Sequence, residues 1–308
     1  MEKRILVAVD DSVYSIRAIE YAAIMASLMK DIRFLVFKGQ PTISEHLIKD
    51  SHLDKKARAI LSSLITKNRE DAERVLEDCK NMMVSRGIDE NAIETFTLPR
   101  IMGTAKDILN VARQKACDAI LLGRRGLSKI GETFSSSVST TVIENSTMLP
   151  VWAVCGHVTS EKIVLAIDGS ASSLRAVDHL CFMLEGNTDI TITLLHVTPK
   201  LRDFCPIDFD KESDVEDIII HGDKQCVENF FSHAKKRFEK AGISKEQLNI
   251  KRVPSVISVS KTIINEIKEG GYGTLVVGRS GLNESFFLGS VSSYCLNNIS
   301  DCAICIVP

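Results

Sequence analysis

Short apolar runs alternate along the chain with segments that carry apolar residues at helical spacing. Runs such as ILVAV (residues 5–9) and AILLG (119–123) are apolar at consecutive positions, which is typical of strands covered by helices on both faces. Between such runs, segments such as 12–29 place apolar side chains one helical turn apart, as Ile16 and Ile19 do. This alternation predicts an α/β fold with a parallel sheet.

The chain contains this alternation of strands and helices twice, as an internal repeat. The segment RILVAVDDS from Arg4 resembles KIVLAIDGS from Lys162, and a GRRG sequence in the first half has a GRSG counterpart in the second. Equivalent residues keep nearly the same spacing throughout, so the two copies differ by short insertions or deletions, which belong in loops. We therefore divide the chain into two domains, unit one (residues 1–157) and unit two (residues 158–308).

Each unit is predicted to be a doubly wound, Rossmann-like domain with a five-stranded parallel sheet, because alternating strands and helices require right-handed crossovers. The strands are predicted near 3–9, 32–38, 93–98, 118–123 and 151–155 in unit one, and near 162–167, 190–197, 249–253, 273–278 and 303–307 in unit two. The long helix of each unit is predicted to end just before Gly87 or Gly242, since glycine suits the position after a helix.

Composition and charge narrow the classes of function. The chain of 308 residues is 44% hydrophobic and 25% charged, as ordinary globular proteins are. Unit one contains 22 Lys and Arg against 20 Asp and Glu, and unit two contains 16 against 20, so neither has the basic excess of a nucleic-acid binder. The sequence has no apolar run of the ~20 residues that a membrane helix needs, and its start lacks the apolar core of a signal peptide. We expect a cytoplasmic protein that binds neither nucleic acid nor a membrane.

The nine cysteines are expected to be reduced and mostly buried thiols. Cys302 and Cys305 form a CxxC pair, which could mark a redox pair or half of a metal site. We favour a core role, because CAICIV looks like a strand and residues three apart on a strand face opposite sides. The histidines show neither HxxxH nor HExxH spacing, so we expect no metal site.

Two glycine-rich stretches follow apolar strands at equivalent places, GRRGLSKIGETFSSSV from Gly123 and GRSGLNESFFLGSV from Gly278. Glycines allow backbone N–H groups to approach a ligand closely, and a serine-capped helix start binds anions. The stretches therefore fit a phosphate chain, or else they form only a tight strand-to-helix turn with a serine cap. They match neither the GxGxxG fingerprint nor the GxxxxGK[ST] P-loop.

The pattern Gly-x2-Gly-x9-[Gly/Ser]-[Ser/Thr], together with a first strand that ends in V-D-x-S, resembles the universal stress protein family. Both units carry these blocks in the same order, so the chain resembles a tandem, two-domain member of that family. The resemblance implies a fold like that of the adenine nucleotide alpha hydrolases. It also implies ATP or another adenine nucleotide as the ligand, which some members bind and others do not.

By position, the resemblance implies one nucleotide site in each unit. Asp10 would face the ribose or adenine, Ala8 would lie beside the base, and Gly39 would contact adenine. The glycine loop and the serines after it would surround the phosphates. The implied site of unit one comprises Ala8, Asp10, Gly39, Leu122, Gly123, Gly126, Ser136, Ser137 and Val138. The matching set of unit two comprises Ala166, Asp168, Val197, Val277, Gly278, Gly281, Gly289, Ser290 and Val291.

Each unit departs from the family pattern in one respect. Unit one keeps the nine-residue spacing but has Ser136 where glycine is usual, a mild change because backbone N–H groups do the binding. Unit two keeps the Gly289-Ser290 ending but has only seven residues after Gly281, which shortens the reach of the loop by up to ~7 Å. We therefore expect unit two to be the weaker site.

Three polar candidates also have ordinary structural roles. Asp10 could contact the ligand, or it could serve only as the N-cap of the helix that starts near Ser12. Arg124 and Arg125 could contact phosphates or could be solvated loop charges, and we favour solvated charges.

The resemblance favours a stress-response protein that binds an adenine nucleotide and acts as a regulator or binding module. The alternative is a structural or interaction protein whose degenerate sites are empty. Catalysis has little support, because the sequence has no GxSxG elbow and no metal motif. The loops DDSV and DGSA also differ from the SGG-x-D-S type of the ATP pyrophosphatases. At most a slow ATPase activity is left open, and it would need Mg²⁺ beside the phosphates.

The last strand of each unit is strongly apolar, with PVWAVCG from Pro150 and CAICIVP from Cys302. An exposed strand edge of this kind invites pairing with another strand. Single-unit members of the family typically dimerise through this strand. The resemblance therefore implies that 151–155 runs antiparallel to 303–307 in an intramolecular pseudo-dimer, and it leaves a homodimer through other surfaces open.

Overall fold

A computed structural model describes residues 1–43, 54–124, 138–199, 213–255, 257–281 and 288–308, and for residues 213–224 it describes the backbone alone. Unit one contains β1 Lys3–Ala8, α1 Val13–Leu28, β2 Ile32–Gln40, α2 Lys55–Ser85, β3 Ile93–Pro99, α3 Thr104–Gln114, β4 Ala119–Arg124, α4 Val138–Asn145 and β5 Val151–Cys155. Unit two contains β6 Ile163–Ile167, α5 Ala171–Met183, β7 Ile192–Thr198, α6 Ser213–Lys240, β8 Leu248–Pro254, α7 Val259–Gly270, β9 Thr274–Gly278, α8 Ser290–Asn298 and β10 Cys302–Val307.

All of these strands belong to one sheet, in the order β3-β2-β1-β4-β5-β10-β9-β6-β7-β8. Neighbouring strands within each unit run parallel, which confirms the predicted α/β class with its parallel five-stranded halves. In each half the chain order reverses next to the first strand, between β1 and β4 in unit one and between β6 and β9 in unit two. In doubly wound sheets, ligands bind beyond the carboxyl ends of the strands at such a reversal.

The two halves of the sheet join through β5 and β10, which pair antiparallel. Cys302 lies opposite Cys155 at one end of the pairing, and Ile306 lies opposite Val151 at the other. Every residue of both strands is buried. The predicted contact between the last strands is therefore present, and each strand covers what would otherwise be an exposed apolar edge of the other.

Helices cover both faces of the sheet and enclose two hydrophobic cores. The helices α1, α2, α5 and α6 pack on one face, and α3, α4, α7 and α8 pack on the other. Cys305 lies in the first core and Cys302 in the second, so the CxxC pair faces opposite sides as predicted. Burial raises the pKa of both thiols, as expected of core residues. Within the described ranges, no helix combines the length and the apolar character needed to cross a membrane.

Aromatic and polar side chains from both units meet at the junction between them. The indole Nε1–H of Trp152 donates to Nε2 of His179 at 3.1 Å. The Tyr21 ring lies 6.1 Å from Trp152, and the Tyr21 hydroxyl is 2.8 Å from Oγ1 of Thr274. Burial lowers the pKa of His179 from 6.5 to about 3, so this histidine is neutral and accepts the indole proton.

We expect the protein to lose stability as the pH falls below 6.5, in part through His179. The unfolded chain takes up a proton on this histidine near 6.5, whereas the folded protein does so only near 3. The unfolded state therefore binds more protons in this range, and the free energy of unfolding falls by about 1.4 kcal/mol per pH unit. His179→Gln keeps an acceptor for Trp152 but cannot titrate. Urea unfolding measures the free energy of unfolding at pH 7 and at pH 5. The decrease between the two should be about 2 kcal/mol smaller for the variant than for the parent. Equal decreases would refute a neutral buried His179.

Candidate functional site

The turn between β1 and α1 holds the Asp10 carboxylate in a fixed position. The Ser12 backbone N–H donates to Oδ1 at 3.0 Å, and the Ser15 hydroxyl donates to the same oxygen at 2.7 Å. The Ser12 hydroxyl also donates to Oδ1, while the Asp10 backbone N–H donates to Oγ of Ser15. Every hydrogen bond that the described residues make to this carboxylate ends on Oδ1.

The same contacts keep Asp10 ionised. Burial raises the pKa of this carboxyl, but the hydrogen bonds from Ser12 and Ser15 and the charge of Lys38 lower it by more, so that the pKa lies below 3.8. The N-cap of α1 is Ser12, and Asp10 lies two residues before it. The N-cap interpretation of Asp10 is therefore wrong, because Asp10 fastens the turn through the side chains of two serines.

Unit two repeats this turn around Asp168. The Ser170 backbone N–H donates to Oδ1 of Asp168 at 3.0 Å, and the Ser173 hydroxyl donates to the same oxygen at 2.5 Å. Sequence reasoning missed Ser15 and Ser173 as partners of the two aspartates. Both serines stand five residues after the aspartate, so comparison of the two repeats could have found them.

The first glycine of each glycine stretch is required by helix packing. A Cβ atom on Gly123 would lie 1.9 Å from the Tyr14 carbonyl oxygen, in the first turn of α1. A Cβ atom on Gly278 would lie 2.5 Å from Oγ of Ser172, in the first turn of α5. Both separations are far shorter than van der Waals contact, so these glycines allow the helix to pack directly on the strand.

The remaining predicted residues of unit one that the structure describes lie near the carboxyl ends of β1, β2 and β4 or at the start of α4. Ala8 pairs with Leu122 across the reversal of strand order and with Phe37 on its other side. Gly39 lies on β2, and among the described residues a Cβ atom there would meet only Phe37, 4.0 Å away. Val138 is the first residue of α4 and is exposed. Gly126, Arg125, Ser136 and Ser137 lie outside the described residues.

The described part of the unit-two loop lies close against the start of α8. The Gly289 N–H donates to the Arg279 carbonyl at 2.8 Å, and a Cβ atom on Gly289 would lie only 3.6 Å from the Gly281 nitrogen. A Cβ atom on Gly281 would lie 2.9 Å from Oδ2 of Asp168. The start of α8 is therefore hydrogen-bonded to the described part of the glycine loop, and Gly281 lies close to the Asp168 carboxylate.

The other predicted residues of unit two lie on β6, β7 and β9 and at the start of α8. Val197 and Val277 are buried near the carboxyl ends of β7 and β9, and Ala166 is half-buried in β6. Gly289 is the N-cap of α8. Ser290 and Val291 form the first turn of that helix. The structure places these residues near the carboxyl ends of three strands and at the start of α8, and their role in binding stays a prediction.

Arg124 lies at the junction between the units, and its possible contact with phosphate stays a prediction. Its guanidinium donates to the carbonyl of Leu296 and, at 2.7 Å, to Oδ1 of Asn297, both in the last helix of unit two. Arg279, which follows Gly278 as Arg124 follows Gly123, makes the converse contact with the last helix of unit one. Arg124 was expected to be a solvated charge and is instead part of the junction between the units.

The described residues line two cavities. None of the residues that line either cavity belongs to a predicted nucleotide site. The larger, about 430 Å³, lies between the units, where Met148, Arg175 and Pro308 contribute to its wall. The smaller, about 190 Å³, lies between α3 and the connection from α4 to β5. Neither cavity is therefore a candidate for the nucleotide site.

Comparison with known proteins is consistent with this architecture. A universal stress protein of Mycolicibacterium smegmatis (strain ATCC 700084 / mc(2)155) is 25% identical over 211 residues, which cover 67% of each chain. The crystal structure of a universal stress protein from Archaeoglobus fulgidus DSM 4304 matches 99% of this chain and 97% of its own, with a TM-score of 0.63 at 19% identity. A functionally unknown protein from Pseudomonas aeruginosa PAO1 matches 99% of this chain and 92% of its own, with a TM-score of 0.51 at 14% identity. At these identities the two structures establish a shared fold.

The family model gives the more direct result. The model of the Universal stress protein family matches residues 1–154 and then matches again over 159–308. The two matches follow the sequence repeat and the two halves of the sheet, and together they span nearly the whole chain. The chain belongs to the universal stress protein family, whose domain it contains twice in tandem.

Proposed function

We propose that this protein is a cytoplasmic stress-response protein that binds ATP or another adenine nucleotide in unit one and acts as a regulator or binding module. The observation that carries the proposal is the fixed, ionised carboxylate of Asp10 at the reversal of strand order. Because the serine hydrogen bonds occupy Oδ1, Oδ2 is available as an acceptor for a ribose hydroxyl. In dinucleotide-binding doubly wound domains an acidic side chain also accepts a hydrogen bond from ribose, although it lies about 20 residues beyond the first turn.

The neighbouring residues suit the other parts of a nucleotide. Among the described residues, the space beside Gly39 leaves room for a flat base next to β2. The backbone N–H groups at the start of α4 carry the positive end of the helix dipole, which favours phosphate. Mg²⁺ would accompany the phosphates as a counter-ion, and hydrolysis, if any, would be slow, since the described residues place no general base beside them.

Unit two is proposed to be the weaker site. The Gly289 N–H is hydrogen-bonded to the Arg279 carbonyl, and Gly281 lies close to the Asp168 carboxylate. The sequence between the second glycine and the helix start is also two residues shorter than in unit one, which reduces its reach around a phosphate chain. We expect about one tight site per chain.

A titration of the purified chain tests the proposal. Asp10→Asn keeps an acceptor for the serines but removes the charge and one acceptor oxygen, so ATP affinity in calorimetry should fall about tenfold. Asp168→Asn is the matched change in unit two and should leave the tight site unchanged. Equal losses for the two variants would contradict the assignment to unit one.

Absorbance at 260 nm from co-purified nucleotide would give independent support for the proposal. The alternative function is an interaction protein with empty sites. That alternative would be favoured if the purified protein carries no 260-nm absorbance and ATP with Mg²⁺ produces neither heat nor a rise in the melting temperature, because a ligand at 100 times its Kd stabilises by about 2.7 kcal/mol.

We further propose that the tandem chain imitates a dimer of single units. The antiparallel contact of β5 with β10 supports this idea, as do the reciprocal contacts of Arg124 and Arg279. A homodimer of the whole chain would have to use other surfaces, since the pairing edges of β5 and β10 are already occupied. Sedimentation of the full chain distinguishes a monomer from such a dimer.

A further inference from the structure

Arg279 reaches from the glycine loop of unit two to the last helix of unit one. Its Nη1 donates to the carbonyl of Ile143 at 2.7 Å and to that of Ser146 at 3.2 Å, and its Nη2 donates to the carbonyl of Glu144 at 2.5 Å. These carbonyls lie at the carboxyl end of α4. One guanidinium therefore holds three of the acceptor groups that a helix leaves without partners inside the helix.

The burial of Arg279 makes its hydrogen bonds to α4 energetically important. The side chain is buried, with 6% of its surface exposed, yet the three contacts named above are with carbonyl oxygens. The three carbonyls and the negative end of the α4 dipole favour the guanidinium charge, and the charge of Glu144 also attracts it. Because the planar guanidinium donates in fixed directions, the contact sets the orientation of the helix end as well as its distance.

The helix that Arg279 holds is short. It runs from Val138 to Asn145, with Val142 and Ile143 packed in the core. Its two ends are about 12 Å apart, and a two-turn helix has little stability of its own. A contact that orients its carboxyl end therefore also orients its amino end, where Val138 begins the helix.

We propose that Arg279 is a positioning residue for the phosphate part of the unit-one nucleotide site, acting from unit two through α4. The inference rests on the proposed function, since it assigns the amino end of α4 to the phosphates. Unit two then contributes to nucleotide binding in unit one even when its own site is empty. The hydrogen bond between the Gly289 N–H and the Arg279 carbonyl fixes the backbone from which the Arg279 side chain extends.

The reciprocal contact of Arg124 has a different consequence. It holds the carboxyl end of α8, the helix whose start is hydrogen-bonded to the described part of the glycine loop of unit two. The two arginines are thus alike in their contacts, but only Arg279 acts on the helix of unit one, which we expect to bind nucleotide more tightly.

The test compares ATP with adenosine as calorimetric ligands of the full chain. Arg279→Met removes all three hydrogen bonds, and should weaken ATP binding about tenfold while adenosine affinity changes less than about twofold. Arg279→Lys keeps a charge that can reach one carbonyl, and should restore part of the ATP affinity. Tyr21→Phe is the control, because it removes a buried hydrogen bond between the units without touching α4, and it should leave the ratio of ATP to adenosine affinity unchanged.

The readout separates positioning from general destabilisation. Adenosine has no phosphate, so its binding also reports whether unit one is folded in each variant. Equal losses of ATP and adenosine affinity in Arg279→Met, or no loss of either, would overturn the inference and leave the proposed function standing. A parent protein that binds adenosine as tightly as ATP would also overturn it. A parent that binds neither ligand would refute the proposed function and this inference together.

Discussion

Replacing Gly123 by alanine is expected to destabilise the protein by about 3 kcal/mol, at the upper end of the range for overpacked cores. The new Cβ atom would lie 1.9 Å from the Tyr14 carbonyl oxygen and 2.3 Å from its carbon. These are backbone atoms of the first turn of α1, so relief requires the helix to move away from β4. The free energy of unfolding, measured by denaturant titration, checks this expectation.

Gly39→Ala is the control for the same chemical change at a second predicted site residue. A Cβ atom on Gly39 would have no neighbour closer than 4.0 Å, and the residue lies in a strand, so the change should alter stability by less than about 1 kcal/mol. Similar effects at the two positions would refute the packing role of Gly123. A nucleotide titration of Gly39→Ala, in contrast, tests the space that we assign to the base.

Replacing Ile304 by proline is expected to destabilise the junction between the units by about 3 kcal/mol or more. Ile304 lies opposite Ala153 of β5 on one side and opposite Leu275 of β9 on the other. Proline cannot donate to either neighbour and is not tolerated in central strands. Ile304 is also fully buried, so the change leaves a cavity in the second core.

Calorimetric unfolding distinguishes a loosened junction from a general loss of stability. The parent should unfold in one transition, because the first core is continuous across both units. Ile304→Pro should either split the transition in two or lower the melting temperature of unit two more than that of unit one. Ile304→Val keeps the strand and should cost only ~1 kcal/mol. A single transition shifted no further than that of Ile304→Val would contradict the role of β10 at the junction.

The result expected for Gly123→Ala affects how the glycines of the family pattern are interpreted. The first glycine of each stretch matches the pattern, yet Gly123 and Gly278 contact the backbone or side chain of a helix. A variant at these positions would therefore lose nucleotide binding through misfolding. Asp10→Asn and the Arg279 variants are better tests of binding, because the contacts they change are those proposed to act on the ligand.

Much of the fold could be predicted because it follows from local pattern. The predicted strands lie within about two residues of the observed ones, since apolar runs and turn residues report strand positions directly. Gly87 and Gly242 have φ values of 90° and 81°, the left-handed conformation that ends a helix and that glycine adopts without strain. The contact between the last strands was also predictable, from their apolar edges and the family resemblance.

The candidate site was predictable only in part. The family resemblance named Asp10 and Gly39 as residues of one site. Both stand near the carboxyl ends of parallel strands, which lie together at the same end of a sheet. The sequence did not indicate that Ser15 would bind the carboxylate, since a serine in the first helical turn has many possible partners. The N-cap interpretation of Asp10 failed for a similar reason, because Asp10 and Ser12 are both good caps and only the backbone geometry shows that Ser12 takes that place.

The sequence by itself determined the two tandem α/β units, their parallel strands and the family to which the chain belongs, because periodicity and repetition are local properties of the chain. Only the tertiary structure decided the partners of Arg124 and Arg279, and the close contact between the glycine loop and the helix start in unit two. Arg279 and Ile143 are 136 residues apart. Nothing near either residue in sequence specifies the other, since their contact depends on how two finished units pack across β5 and β10.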